Sequence, residues 1–142
     1  MARRRRALSA AALRSLVERR ARRRCEYCRA PQPVCGYRFH LEHVVSCCQG
    51  GSDAPDNRAL ACASCNLAKA DRASGPDPHT QVVVPLFDPR RQRWGVHFRW
   101  ANDRQTLEGK TAAGRATVRA LDLNNELRLE ARRLWFATGW LP

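Results

Sequence analysis

Nowhere in the sequence is there an apolar run near the roughly 18 residues that a bilayer-crossing helix needs, so no span is expected. The start, MARRRRALSAAALRSLVERRARRR, also lacks the apolar core of a secretory signal. Lysine is nearly absent, with only Lys69 and Lys110 among 26 basic residues. Acidic residues are half as numerous as basic ones, and the net charge is +13. No internal repeat is visible. The exclusions leave a cytoplasmic setting as the expectation. An Arg-rich, Ala- and Ser-containing start also suits an organellar transit peptide. Against that, this segment runs into the first cysteine pair without a linker.

The charge is concentrated. Residues 1–24 hold ten arginines against one acid, Glu18. Such density selects polyanionic partners, with nucleic acid ahead of an anionic membrane surface. Leu8, Ala12 and Leu16 recur at helical spacing, which predicts a basic amphipathic helix over 7–23. Arg19, Arg20, Arg22, Arg23 and Arg24 then become candidate phosphate contacts.

Seven cysteines without a secretory signal favour metal over disulfides. Cys25-x-x-Cys28 and Cys62-x-x-Cys65 are two knuckles, each presenting two thiolates from one tight turn. Together they complete a tetrahedral zinc shell. A closed four-sulfur shell is structural and leaves no open position for chemistry. Cys35, Cys47 and Cys48 read as free thiols. His40, His79 and His97 have no setting that lifts them above structural roles.

Chemistry must come from between the knuckles. The 33 intervening residues contain Glu42-His43, Gly50-Gly51 and Asn57, and Asn66 follows Cys65 directly. Residues 37–46 alternate as a strand, 59–61 suit a short return strand, and 66–73 suit a helix. Zinc at the knuckles would bring Glu42, His43 and Asn66 within reach of one another. A histidine accepts a proton near neutral pH. Glutamate and an asparagine carbonyl are hard oxygen ligands that suit Mg²⁺ or Mn²⁺. Neighbours on a strand face opposite sides, so Glu42 and His43 must straddle whatever they act on. Lys69, three residues after Asn66, shares its helix face and is a candidate phosphate contact.

The stretch CEYC, FHLEHVV, GGSDAPDNRALAC and ASCNLAK resembles the HNH nuclease family, in its zinc-knuckle subgroup. The resemblance implies an α+β protein with a ββα-metal finger. It implies His43 as general base and Asn57 as the central asparagine that holds the hairpin loop and orients His43. Glu42 and Asn66 would hold the catalytic Mg²⁺ or Mn²⁺. The substrate implied is DNA, with RNA left open. Departures fall at Ser46, Arg58, Ala68 and Ala70, where proline, an apolar residue, a polar residue or histidine, and glycine are usual. A zinc-stapled nucleic-acid-binding module without catalysis is the alternative.

Residues 1–24, 25–73 and 74–142 are thus expected as a basic helix, a nuclease core and a C-terminal extension. Within the extension, 74–80 reads as a linker, 82–87 and 94–100 as strands, and 111–122 as a helix capped by Thr111. A last helix over 124–137 would bury Leu123, Leu127, Ala131 and Leu134. The oligomeric state has no sequence signal.

Overall fold

The computed structural model describes residues 6–141. Helix α1 spans Ala10–Arg20, capped by Ser9, whose hydroxyl accepts from Ala12 N at 3.1 Å. It is shorter than the apolar spacing suggests. Arg22 and Arg23 adopt left-handed φ of 53° and 55°, which ends the helix. Arg24 then pairs with Pro31, and Gln32 N donates to the Arg23 carbonyl. Val17 is fully buried, so this segment belongs to the core.

After the first knuckle a single turn, α2 (Gln32–Cys35), ends at Gly36 with φ 74°. Strand β1 (His40–His43) pairs antiparallel with β2 (Arg58–Ala61), His43 opposite Arg58. Both are short because the chain between them is pinned. Val44 N donates to the Asn57 carbonyl at 2.9 Å, and 3-10 turns occupy 47–49 and 55–57. Helix α3 spans Ala63–Lys69 and begins three residues before the expected start. Its cap is the Cys62 sulfur, which accepts from Cys65 N at 3.4 Å. The helix ends at Ala70, held at φ 49° and ψ −126°. That conformation is costly for a residue with a Cβ, about 1–3 kcal/mol. Glycine would adopt that conformation without the cost.

The expected linker is ordered structure. Strand β3 (Ser74–Pro76) pairs with β4 (Val83–Pro85), and between them Asp77 is fully buried. Asp77 accepts from Arg115 Nε at 2.9 Å and Nη2 at 2.8 Å, and from His79 N and Thr80 Oγ1. The expected strand over 94–100 is one helical turn, α4 (Trp94–His97), followed by β5 (Phe98–Trp100). Strand β5 pairs with β6 (Leu107–Gly109). Helix α5 (Ala112–Ala120) carries the Thr111 cap, and α6 (Glu126–Ala137) is capped by Asn125. Gly114 permits a crossing that a side chain would block, since a Cβ there would sit 2.1 Å from the His97 carbonyl oxygen.

Helix α6 is turned from its expected face. Leu127 and Leu134 are exposed, while Arg132 is buried. The Arg132 guanidinium donates to the Gln105 carbonyl and Asn124 Oδ1, and its remaining hydrogen-bonding capacity reaches Leu123 O. This orientation satisfies buried carbonyls that would each cost about 1–3 kcal/mol unpaired.

One hydrophobic cluster runs through both the knuckle region and the extension. Tyr27 meets Phe87 edge-on, and Phe87 meets Phe98 at 5.1 Å. The Trp94 indole donates to Tyr27 O at 2.9 Å, and Glu26 pairs with Arg90. Among the described residues, no helix is long and apolar enough to cross a membrane.

The Asp77–Arg115 pair makes a pH prediction. The Arg115 hydrogen bonds, aided by the His79 and Thr80 donors, hold the Asp77 carboxyl well below the ordinary carboxylate value. A depressed folded pKa adds stability above the unfolded value, and that stability is lost as pH falls through the folded one. Asp77→Asn is therefore expected to cost stability at pH 7 and much less below about pH 3. Urea midpoints at both pH values measure it, and an equal deficit at both would exclude this origin.

Candidate active site and metal centre

Cys25, Cys28, Cys62 and Cys65 are buried, with their sulfurs all within 4.8 Å of one another. Cys28 Sγ and Cys62 Sγ are 3.7 Å apart. Zinc–sulfur bonds of about 2.3 Å at tetrahedral angles put sulfurs about 3.8 Å apart. Burial pushes the Cys25 thiol well above its ordinary value, and the adjoining sulfurs add to the shift. Thiolates in this position need a cation at their centre. The Arg128 guanidinium, donating to Cys65 Sγ at 3.2 Å, offsets part of the excess negative charge of a four-thiolate shell. The set is able to hold zinc. Its backbone ties also reach the hairpin, since Glu26 N donates to Leu60 O and Leu60 N to Glu26 Oε2, both at 2.8 Å.

On the hairpin, Asn57 spans the loop. Its Oδ1 accepts from Val45 N at 2.9 Å, and its Nδ2 donates to Val45 O at 2.9 Å and Ser52 O at 2.7 Å. The loop folds so closely that a Cβ on Gly51 would lie 1.7 Å from Val45 O. This closure returns Asp53 to the end of β1. Asp53 Oδ1 lies 2.7 Å from His43 Nε2 and 3.4 Å from Arg58 Nη2. The His43 bond, then Arg58, lowers the Asp53 carboxyl below its ordinary value. Cys47 Sγ is 3.5 Å from the same His43 nitrogen. Neither Asp53 nor Cys47 was expected from the sequence. Only the loop closure joins them to His43, and no residue spacing encodes it.

Glu42 faces the other way, as strand alternation requires. Its side chain is 3% exposed, against 26% for His43. The Tyr27 hydroxyl donates to Glu42 Oε1, and Lys69 Nζ is 3.4 Å from Oε2. Burial raises the Glu42 carboxyl above its ordinary value, with Lys69 and Tyr27 opposing. Lys69 is not a surface cation. It is 2% exposed and also donates to Val44 O at 3.0 Å and His43 O at 3.3 Å. Its expected phosphate contact is therefore corrected to an inward structural one. Asn66 lies half-buried one turn before it on α3.

The N-terminal arginines are divided. Arg20 reaches the Pro55 and Arg58 carbonyls and straps α1 to the hairpin loop. Arg19, Arg22 and Arg23 are exposed and Arg24 is half-buried. Arg20, Arg22 and Arg24 join Arg29, Arg90 and Trp94 around an open groove of about 840 Å³.

The two cysteine knuckles thus close a ββα unit with Glu-His ending its first strand. Residues 25–72 match the family model of the HNH endonucleases. The four-cysteine cluster fits a zinc-knuckle subgroup of that family. No curated protein and no solved structure matches the chain. The groove is lined by residues on both sides of the matched segment and by Glu26 and Arg29 within it.

Proposed function

We propose that this protein is a metal-dependent endonuclease that hydrolyses phosphodiester bonds in DNA, with His43 as general base. The observation that carries the proposal is the His43–Asp53 contact at the open end of the hairpin. A carboxylate accepts a hydrogen bond from Nε2–H and fixes that tautomer. Nδ1 is then left with the lone pair, and it takes the proton from the attacking water. Asn57 shapes the loop that delivers Asp53. The four cysteines hold a structural zinc. Glu42 and Asn66 offer hard oxygens to Mg²⁺ or Mn²⁺, an ion whose chemistry would be to neutralise charge on the phosphoryl and leaving oxygens. Carboxylate and amide oxygens are the donor types such an ion takes, and to bind at Glu42 it would have to displace the Lys69 ammonium that the carboxylate now faces. Arg19, Arg20, Arg22, Arg23 and Arg24 supply positive charge that holds the phosphate backbone without reading sequence.

One observation favours the alternative, binding without hydrolysis: Glu42 is enclosed by Tyr27 and Lys69. Supercoiled plasmid separates the two. With Mg²⁺ or Mn²⁺, nicking that EDTA stops is expected, and His43→Ala should lower it about 10²–10⁴-fold with the fold and the four-cysteine zinc retained. Salt-sensitive gel shifts with uncut plasmid would replace the nuclease reading with the binding one. A parallel RNA substrate tests the DNA assignment.

A further inference from the structure

His43, Cys47 and Asp53 bring an imidazole nitrogen, a thiol sulfur and a carboxylate oxygen within 4.8 Å of one another. This is a separate cluster from the four buried cysteines. We infer that it forms a second metal site, for an exchangeable ion of the zinc class, whose filling takes His43 out of use as a base. The inhibitory half of this statement rests on the proposed role of His43.

The geometry suits such an ion. Bonds of about 2.0 Å to nitrogen and 2.3 Å to sulfur, at tetrahedral angles, separate those ligands by about 3.6 Å. His43 Nε2 and Cys47 Sγ are 3.5 Å apart. Nitrogen and oxygen ligands need about 3.3 Å. The His43–Asp53 contact of 2.7 Å must therefore open by roughly half an ångström. Asp53 can make that adjustment, since its side chain is 79% exposed and its other contact is Arg58 at 3.4 Å.

Ligand chemistry selects the ion. One thiolate, one imidazole and one carboxylate favour Zn²⁺ and disfavour Mg²⁺, which takes hard oxygens. Three protein ligands leave a position for water, so the site is open where the four-cysteine site is closed. Cys48 stands apart from it, with its sulfur beside Ser46 Oγ and Asp71 Oδ2.

Proton balance explains the inhibition. The Cys47 thiol releases its proton to solvent as sulfur binds. The Nε2 lone pair goes to the metal, and the single imidazole proton moves to Nδ1. The nitrogen that accepted a proton from water now carries one.

Cobalt(II) reports thiolate ligation by a near-ultraviolet charge-transfer band. Added to the zinc-loaded full chain, it is expected to bind one further equivalent and give a one-thiolate band. Cys47→Ser and His43→Ala should lose the band, while Cys48→Ser keeps it. A band that survives Cys47→Ser, or no band in the parent protein, overturns the site. Nicking with Mg²⁺ present is then measured with and without added Zn²⁺, each protein against its own rate without added zinc. The parent should slow roughly a hundredfold, the scale of a lost general base, and Cys47→Ser should not respond. Zinc that accelerates the parent, or slows both proteins alike, overturns the inhibition. Plasmid uncut under every condition refutes the nuclease reading and the inhibition with it, while the cobalt band still decides the site.

Discussion

Cys65→Ser is expected to leave a chain that does not fold at 25 °C. Cys65 and Cys25 are fully buried, and Cys28 and Cys62 nearly so. The two knuckles are where the segment before the hairpin meets the start of α3. Structural zinc in such sites binds with about 10–16 kcal/mol, as large as the whole stability of an ordinary domain, about 5–15 kcal/mol. Serine replaces one thiolate by a neutral hydroxyl and leaves three crowded sulfurs in a dry interior. Far-UV circular dichroism, metal content and limited proteolysis together read the result. Cys35→Ser is the control: Cys35 is half-buried, outside the cluster, and its loss should leave zinc and the cooperative transition in place. A zinc-free Cys65→Ser protein that still melts cooperatively at the parent midpoint would show that the apolar cluster suffices alone.

The knuckles were legible because metal ligation restricts both residue type and spacing. The α+β class and the ββα arrangement were what the family resemblance implied, and the alternation of residues 37–46 marked the first strand. Element ends were less legible where an unusual group sets them. A sulfur, Cys62, caps α3, and two left-handed arginines stop α1. Residues 74–80 have a linker's composition, yet Arg115, 38 residues away, buries Asp77 among them. Periodicity put Leu127 and Leu134 inward on α6, but Arg132 takes the inward place and meets buried carbonyls. The same limit applies to the site. Helical spacing put Lys69 beside Asn66 and correctly on one face, but could not show that this face looks onto Glu42. Alternation did separate Glu42 from His43. It could not show that the loop returns Asp53 and Cys47 to the histidine's side.

Lys69→Ala is expected to lower stability by about 3–5 kcal/mol, the usual cost of stranding one member of a buried ion pair. Lys69 and Glu42 side chains are each 3% exposed, so water cannot readily replace the lost ammonium. The Tyr27 hydroxyl remains, but a neutral donor does not balance a carboxylate. The Val44 and His43 carbonyls lose a donor as well. At about 2–4 °C per kcal/mol for a chain of this size, the midpoint should fall by roughly 10 °C. Glu42→Gln combined with Lys69→Met removes both charges at similar volume and should recover most of the loss. A loss under about 1 kcal/mol in Lys69→Ala would mean the pair is solvated, as surface pairs are. The same variant tests the proposed metal role of Glu42. With the ammonium gone, a divalent ion has no internal competitor for the carboxylate. Mg²⁺ or Mn²⁺ at about a hundred times its dissociation constant adds about 2.7 kcal/mol to the state that binds it. These ions should therefore stabilise Lys69→Ala more than the parent protein, and should not stabilise Lys69→Met combined with Glu42→Gln. Equal ion effects on all three would move the catalytic metal off Glu42.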